Sequence, residues 1–384
     1  MKSPRAVAHP APMIIWGFHM TNKNSPDTSG RTKNEHMKNT KTVFLSMLLF
    51  AAGILKSNAQ MGMGKIEEIE SLQERQLIVL IEEPRERMLK KLAKKPKLGT
   101  EADYKADLLI YNANVKAVVE KFYPYTKKEV LYKTYSEIEK LKKSKSDAYA
   151  VLCCLSTEPS SSSSGLNYAD GLYWEKDIKL DFEDRNDLMF TMMVVNLIED
   201  FEKTPVFQTP LFDVFPTQAA LAFGMQTTKN YFEMRIRMKK EGSSKKDEKA
   251  AIEKTIAENA PKLKDRTLLV RSEWLDKELT EANFKDHYPF KYKICDRETM
   301  DKAIMSQDET YAYGVVLPYV VSGSRSNSII YFQYIFDAKN SEMMAMASPS
   351  TGSIMGAGFS GKAGNRNFTF KVMDKIRDQI IGKK

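Results

Sequence analysis

Short apolar runs separated by amphipathic stretches recur along this chain, and their order predicts its architecture. RQLIVLI (75–81) and RTLLV (266–270) are nearly continuous apolar runs, the pattern of short buried strands, and each follows a charged stretch of helical character. An aromatic Tyr-Pro break with alternating apolar and polar residues follows both, in FYPYTKKEVLYKTY (122–135) and HYPFKYKIC (287–295). Next come SEIEKLKKSKSDAYAVLCC (136–154) and ETMDKAIMSQDETYAYGVV (298–316), each a short helix leading into an apolar strand. Ile138 and Leu141 in the first, and Met300, Ala303 and Ile304 in the second, fall at helical spacing. Ser136 and Glu139 have the spacing of a capping box for the first helix.

A serine-rich loop then occurs twice, EPSSSSSG (158–165) and SGSRSNS (322–328). Strand patterns follow in FTMMVVNLI (190–198) with PVFQTPLF (205–212), and in SIIYFQYIF (328–336) with EMMAMAS (342–348). Asp337 to Asn340 reads as the hairpin turn of the second pair. Helices close both series, around 217–240 and 367–381, the last with Phe370, Met373, Ile376 and Ile380 on one face. Placing Ser144 on Ser306 also aligns Lys140 with Lys302, Tyr149 with Tyr311 and Ala150 with Ala312.

The pattern therefore predicts an α/β (or α+β) protein of two related domains, each a mixed β-sheet with packed helices, produced by internal duplication. The expected domains are 60–240 and 266–384, joined by a charged helical connector over 241–265 whose Lys/Glu runs read as solvated faces.

The start of the chain predicts export. From Met37 the chain reads MKNTKTVFLSMLLFAAGILKSNAQ, with Lys38 and Lys41 ahead of a 13-residue apolar run, Val43–Leu55. Small residues Ser57 and Ala59 precede a cut between Ala59 and Gln60, so 37–59 has the layout of a cleaved signal peptide. A helix of that run is about 20 Å long, too short for a hydrocarbon core of ~30 Å. Residues 1–36 are a polar extension or a misassigned start, with Met37 as the expected first residue. The ending SNAQ resembles export signals of Bacteroidota proteins. That resemblance covers residues 37–60 and implies a periplasmic or secreted address.

Export changes how the charge reads. The chain carries a net +9, but residues 1–60 hold eight Lys/Arg against two Asp/Glu, so the remainder is close to neutral. Nucleic-acid binding loses its electrostatic support. His9, His19 and His36 precede the cut, which leaves His287 alone and excludes a multi-histidine zinc site from the mature chain. Cys153, Cys154 and Cys295 are too few for a disulfide scaffold, although a bridge from either of the first two to Cys295 stays open. No later segment offers a membrane span.

GAGFSGKAG (356–364) matches the phosphate-loop spacing through Gly356, Gly361 and Lys362, but Ala363 stands where Ser or Thr would reach magnesium. Gly364 and Asn365 then delay the helix, so the stretch reads as a Gly/Ser loop and no nucleotide or other cofactor is expected. In LYWEKDIKLDFED (172–184), Trp174 stands beside several carboxylates, while Ile178, Leu180 and Phe182 alternate as in a strand. The methionines read as core filling, not metal ligands.

The resulting expectation is a non-catalytic exported protein that binds a ligand, an envelope protein or a glycan between its two domains. Trp174, Ser324 and Arg325 are the candidate ligand contacts. The alternative is a secreted carbohydrate-active hydrolase using Glu175 and Asp177 as paired carboxylates.

Overall fold

Strand β1 (Gln76–Leu80) lies between β2 (Leu131–Lys133) and β3 (Tyr149–Thr157), parallel to both. Its buried Leu77 to Leu80 explain why this run lacks polar alternation. β4 (Phe190–Leu197) adds antiparallel to β3, and β5 (Phe207–Pro210) antiparallel to β4. The second sheet is built from β6 (Thr267–Arg271), β7 (Tyr292–Cys295), β8 (Tyr311–Ser322), β9 (Asn327–Asp337) and β10 (Met343–Ala347). Here β6 is parallel to β7 and β8, while β8, β9 and β10 run antiparallel in turn. Numbered within each half, both sheets have the order 2-1-3-4-5 with the same directions. Two mixed five-stranded sheets of one topology are what an internal duplication produces.

The computed structural model describes residues 64–123, 125, 128–144, 147–157, 168, 171–174, 189–322, 327–347 and 366–383, all within one compact unit, Ser57–Lys384. The upstream extension, the signal segment with Ala59 and Gln60, most of both serine-rich loops and GAGFSGKAG lie outside the described residues.

The helices, in chain order, are α1 (Ile66–Ser71), α2 (Glu86–Lys94), α3 (Glu101–Phe122), α4 (Tyr135–Lys143) and α5 (Gln218–Lys240). They continue with α6 (Glu248–Asn259), α7 (Glu281–His287), α8 (Arg297–Ser306) and α9 (Phe370–Ile380). Residue-level correspondences extend the duplication. Gln76 pairs with Tyr149 as Thr267 pairs with Tyr311. Ser144 Oγ donates to the Leu141 carbonyl, and Ser306 Oγ to that of Ala303. Thr217 caps α5 by accepting from the Ala220 amide, and Thr369 caps α9 by accepting from that of Val372. This register matches α5 with α9, so the first-half counterpart of the segment holding GAGFSGKAG is the short 211–216 connection between β5 and α5.

Three local expectations change. The reciprocal cap of α4 sits two residues earlier than Ser136 and Glu139: Thr134 precedes the helix, and its amide donates to Glu137 Oε2 at 2.9 Å. In the first Tyr-Pro segment, the described residues that pair as a strand are Leu131–Lys133. Helix α3 was not predicted, although Tyr104, Leu108, Tyr111, Val115, Val118 and Phe122 recur at helical spacing and are buried. Leu109 and Ile110, 70% and 59% exposed, interrupt its polar face and blur the period.

Helix α5 is the structural centre. Every residue from Ala219 to Thr228 is buried, because α3 and β5 pack on it from the first half and α8 from the second. Phe223 touches Phe212 in the first half and both Phe336 and Tyr313 in the second. Gly224 sits in a tight spot: a Cβ would stand 2.7 Å from Leu211 Cδ2 and 3.0 Å from Met193 Sδ, so these side chains would have to shift to admit it. Helix α6 packs on β10 with its Lys/Glu side chains outward, and its first residue, Glu248, is buried with Arg235 Nη1 3.5 Å away.

Candidate functional site

The carboxyl ends of parallel strands are where open α/β sheets gather ligands, because loops and helix N-termini converge there. At that end of β6 the apolar run closes on Arg271, which is fully buried. Its Nη1 donates to Asp213 Oδ1 at 2.9 Å and its Nη2 to Asp301 Oδ1 at 3.1 Å. Glu273 Oε1 lies 3.6 Å from the same Nη1. The guanidinium is flanked by rings, its Cζ 4.5 Å from the Trp274 centroid and 5.1 Å from that of Phe212.

Each partner comes from a different element. Asp213 lies in the β5–α5 loop of the first half, and its Oδ2 accepts from Thr217 Oγ1, the cap of α5, at 3.1 Å. Asp301 projects from α8, one turn beyond Arg297, which begins that helix at the carboxyl end of β7. Arg297 Nη2 approaches Asp213 Oδ1 at 3.7 Å. The cluster thereby ties the first half to the second.

Its electrostatics follow from burial. Desolvation works against the Arg271 charge, but Asp213, Asp301 and Glu273 outweigh it and hold the guanidinium pKa above its ordinary value. Burial pushes the Asp301 carboxyl up to about 6; nearby Asp213 adds to the rise, while Arg271 and Thr217 oppose it. Arg271 Nε is buried without a hydrogen-bond partner.

A cavity of about 230 Å³ opens beside this cluster, between the two halves. Aromatic and apolar residues stand along it, with Phe190 and Phe212 from the first half and Trp274, Pro318 and Tyr331 from the second, but most of the surface open to the cavity is polar. Asp213, Glu273, Arg297 and Arg366 place charge on the lining.

The duplication supplies an internal comparison. Counting from the matched pairs of β1 and β6, Glu82 and Glu273 occupy equivalent positions beyond their strands. Glu82 is sealed in: Arg85 Nη2 donates to its Oε2 at 2.8 Å, and Asn112 hydrogen-bonds both its amide and its carbonyl. Gly171, at φ +49°, closes over it, since a Cβ there would stand 1.7 Å from Arg85 Nη2 and 2.6 Å from Glu82 Oε1. Burial raises the Glu82 pKa. The same strand-end position is packed shut in the first half and open to a cavity in the second.

Of the sequence-derived candidates, Trp174 is the one described, and it does not line this cavity. Trp174 is 1% exposed in a small satellite core with Leu92, Tyr104 and Leu108. Its Nε1 donates to Asp107 Oδ2 at 2.7 Å, and its ring lies 5.4 Å from that of Tyr104. Glu175, Asp177, Ser324 and Arg325 lie outside the described residues. Cys153, Cys154 and Cys295 are free, buried thiols; burial pushes Cys154 up to about 12, which disfavours the reactive thiolate. His287 is half-buried, with Nδ1 3.1 Å from Asp374 Oδ1. Among the described residues no His/Cys/Asp/Glu group could hold a metal ion, and no helix is long and apolar enough to cross a membrane.

Arg271, Asp213 and Asp301 were not singled out in the sequence. The available signals were an Arg closing an apolar run before Ser-Glu-Trp, and an acid between aromatic residues in LFDVFPT. Neither separates a buried ion pair from an ordinary strand-end charge. Comparison with protein-family models, with curated proteins and with solved structures gives no match.

Proposed function

We propose that this is an exported, non-catalytic binding protein that holds a small ligand between its two α/β halves. The observation carrying the reading is the cavity of about 230 Å³ lined by both halves and placed directly on the Arg271–Asp213–Asp301 cluster. A rigid ion-paired floor with aromatic walls is a preorganised receptor. Export rests on the layout of residues 37–60 and is tested by the N-terminus and intact mass of the native protein from fractionated cells. Ligand binding is tested by filling the cavity. Val316→Trp should abolish calorimetrically measured binding of the native ligand recovered with the protein while leaving a cooperative melt. Unchanged binding would sink this placement.

A second reading, a carbohydrate-active hydrolase, has one observation of its own. Asp213 and Glu273 are both on the cavity lining and both stand beside Arg271 Nη1. This carboxylate pair would replace Glu175 and Asp177 as the reacting acids. A chromogenic glycoside screen tests it, and turnover that survives Glu273→Gln would exclude this pair.

A further inference from the structure

We infer that the ligand is a small zwitterion with an apolar body, the class of the apolar α-amino acids, held by Arg297 at its carboxylate and Glu273 at its ammonium group. This rests on the cavity being the binding site. The first argument is that charges of both signs stand on the lining. Among the described residues, Arg297 and Glu273 both border the cavity above the Arg271–Asp213–Asp301 cluster. A simple anion or cation would meet one of them and leave the other facing a like charge or none. A zwitterion offers each its opposite.

The second argument is which charges are available. Arg271 is enclosed between Trp274 and Phe212 and engaged by Asp213 and Asp301, so it forms the floor and does not contact the ligand. Arg297 has its side chain 44% exposed and meets Asp213 only at 3.7 Å, leaving a planar fork suited to bidentate carboxylate binding. It also begins the ten-residue α8, whose N-terminal dipole favours negative charge. Glu273 has its side chain 52% exposed and presents carboxylate oxygen on the lining. The two residues follow different strands, β7 and β6, so a molecule with opposite charges at one end can bridge them while its body lies against Trp274, Tyr331 and Pro318. The third argument is size. The cavity is smaller than the roughly 300–1,000 Å³ of drug-sized sites, which suits a single amino acid and disfavours an oligosaccharide.

The test is isothermal titration of the full chain with five probes: L-leucine, L-phenylalanine, phenylacetate, phenethylamine and benzyl alcohol. One of the amino acids should bind at least tenfold more tightly than any probe lacking one or both charges. Arg297→Ala should weaken that amino acid and phenylacetate roughly tenfold or more, leaving phenethylamine unchanged, and Glu273→Gln should weaken the amine-bearing probes alone. Both side chains are half exposed, and a thermal melt of each variant verifies folding. If phenylacetate or benzyl alcohol binds as well as the amino acids, and Val316→Trp removes that binding, the zwitterion assignment falls while the cavity stands. Binding of none of the five overturns the inference. Failure of Val316→Trp to displace the co-purified native ligand is the separate result that overturns the cavity itself.

Discussion

Arg271 and Asp213 are 58 residues apart and on different halves of the chain, yet Arg271 Nη1 sits 2.9 Å from Asp213 Oδ1 with both side chains almost completely buried. A buried pair of this kind is costly to break from one side, because the remaining charge stays desolvated.

Asp213→Ala should therefore destabilise the protein by about 3–5 kcal/mol. Arg271→Met should be comparably damaging, since it strands Asp213 and Asp301 together. The double variant should cost less than the two single changes added, because Arg271 and Asp213 are then both gone and Asp301 alone loses its partner. Urea denaturation of the four proteins closes this cycle; strict additivity would mean that the pair contributes no coupling.

Asp301 gives a pH signature with a defined sign. Its folded-state pKa is raised from 3.8 to about 6, so the folded chain binds this proton more tightly than the unfolded chain. The stabilisation is fully present below about pH 4 and is lost as pH rises through about 6. Asp301→Asn should remove that contribution. The stability of wild type relative to the variant should thus increase on acidification from pH 7 to pH 4, as read from paired denaturation curves. A difference that stays flat over this window would contradict the burial of this carboxyl.

Gly171 should resist substitution. At φ +49°, an alanine is strained, and its Cβ would strike Arg85 and Glu82. Gly171→Ala should cost about 1–3 kcal/mol through strain and disruption of the Arg85–Glu82 contact. Gly242, at φ +72°, is a control with open space around it. Gly242→Ala should show the backbone penalty alone, and both are measured by chemical denaturation.

Trp174 should behave as a core residue. Trp174→Ala removes the centre of the satellite cluster and leaves Asp107 without its indole donor, a loss of about 3–5 kcal/mol. A melting temperature unchanged by this substitution would return Trp174 to the list of ligand contacts.

The shared burial of α5 predicts cooperative unfolding. Phe223 packs against aromatic rings of both halves, so the two sheets should melt together in one calorimetric transition. Phe223→Ala should lower that single transition, with a cost of about 3–5 kcal/mol. Two well-separated transitions would show that the halves are independent.

Much of this fold was legible because its signals are local. Leu77 to Leu80 and Leu268 to Val270 are apolar without alternation and lie beside the centre of their sheets, as such runs require. Ile138 and Met300 fall at matching helical positions and are both buried completely. Helix α3 escaped because exposed Leu109 and Ile110 interrupt its polar face. The α4 cap moved to Thr134 because two candidate hydroxyls lie within one turn, and only the backbone path selects between them.

By itself, then, the sequence determined where along the chain the described strands lie, the duplicated plan and the closing helices, since hydrophobic periodicity records how each segment divides between core and water. The tertiary structure alone decided which polar residues meet. Arg271, Asp213 and Asp301 come from a strand end, a loop and a helix in two halves, and nothing in their separate neighbourhoods encodes that encounter. The same holds for the equivalent acids Glu82 and Glu273. Each stands at the same place beyond its strand, but one is closed over by Gly171 and the other borders a cavity, because different surroundings pack against the two copies.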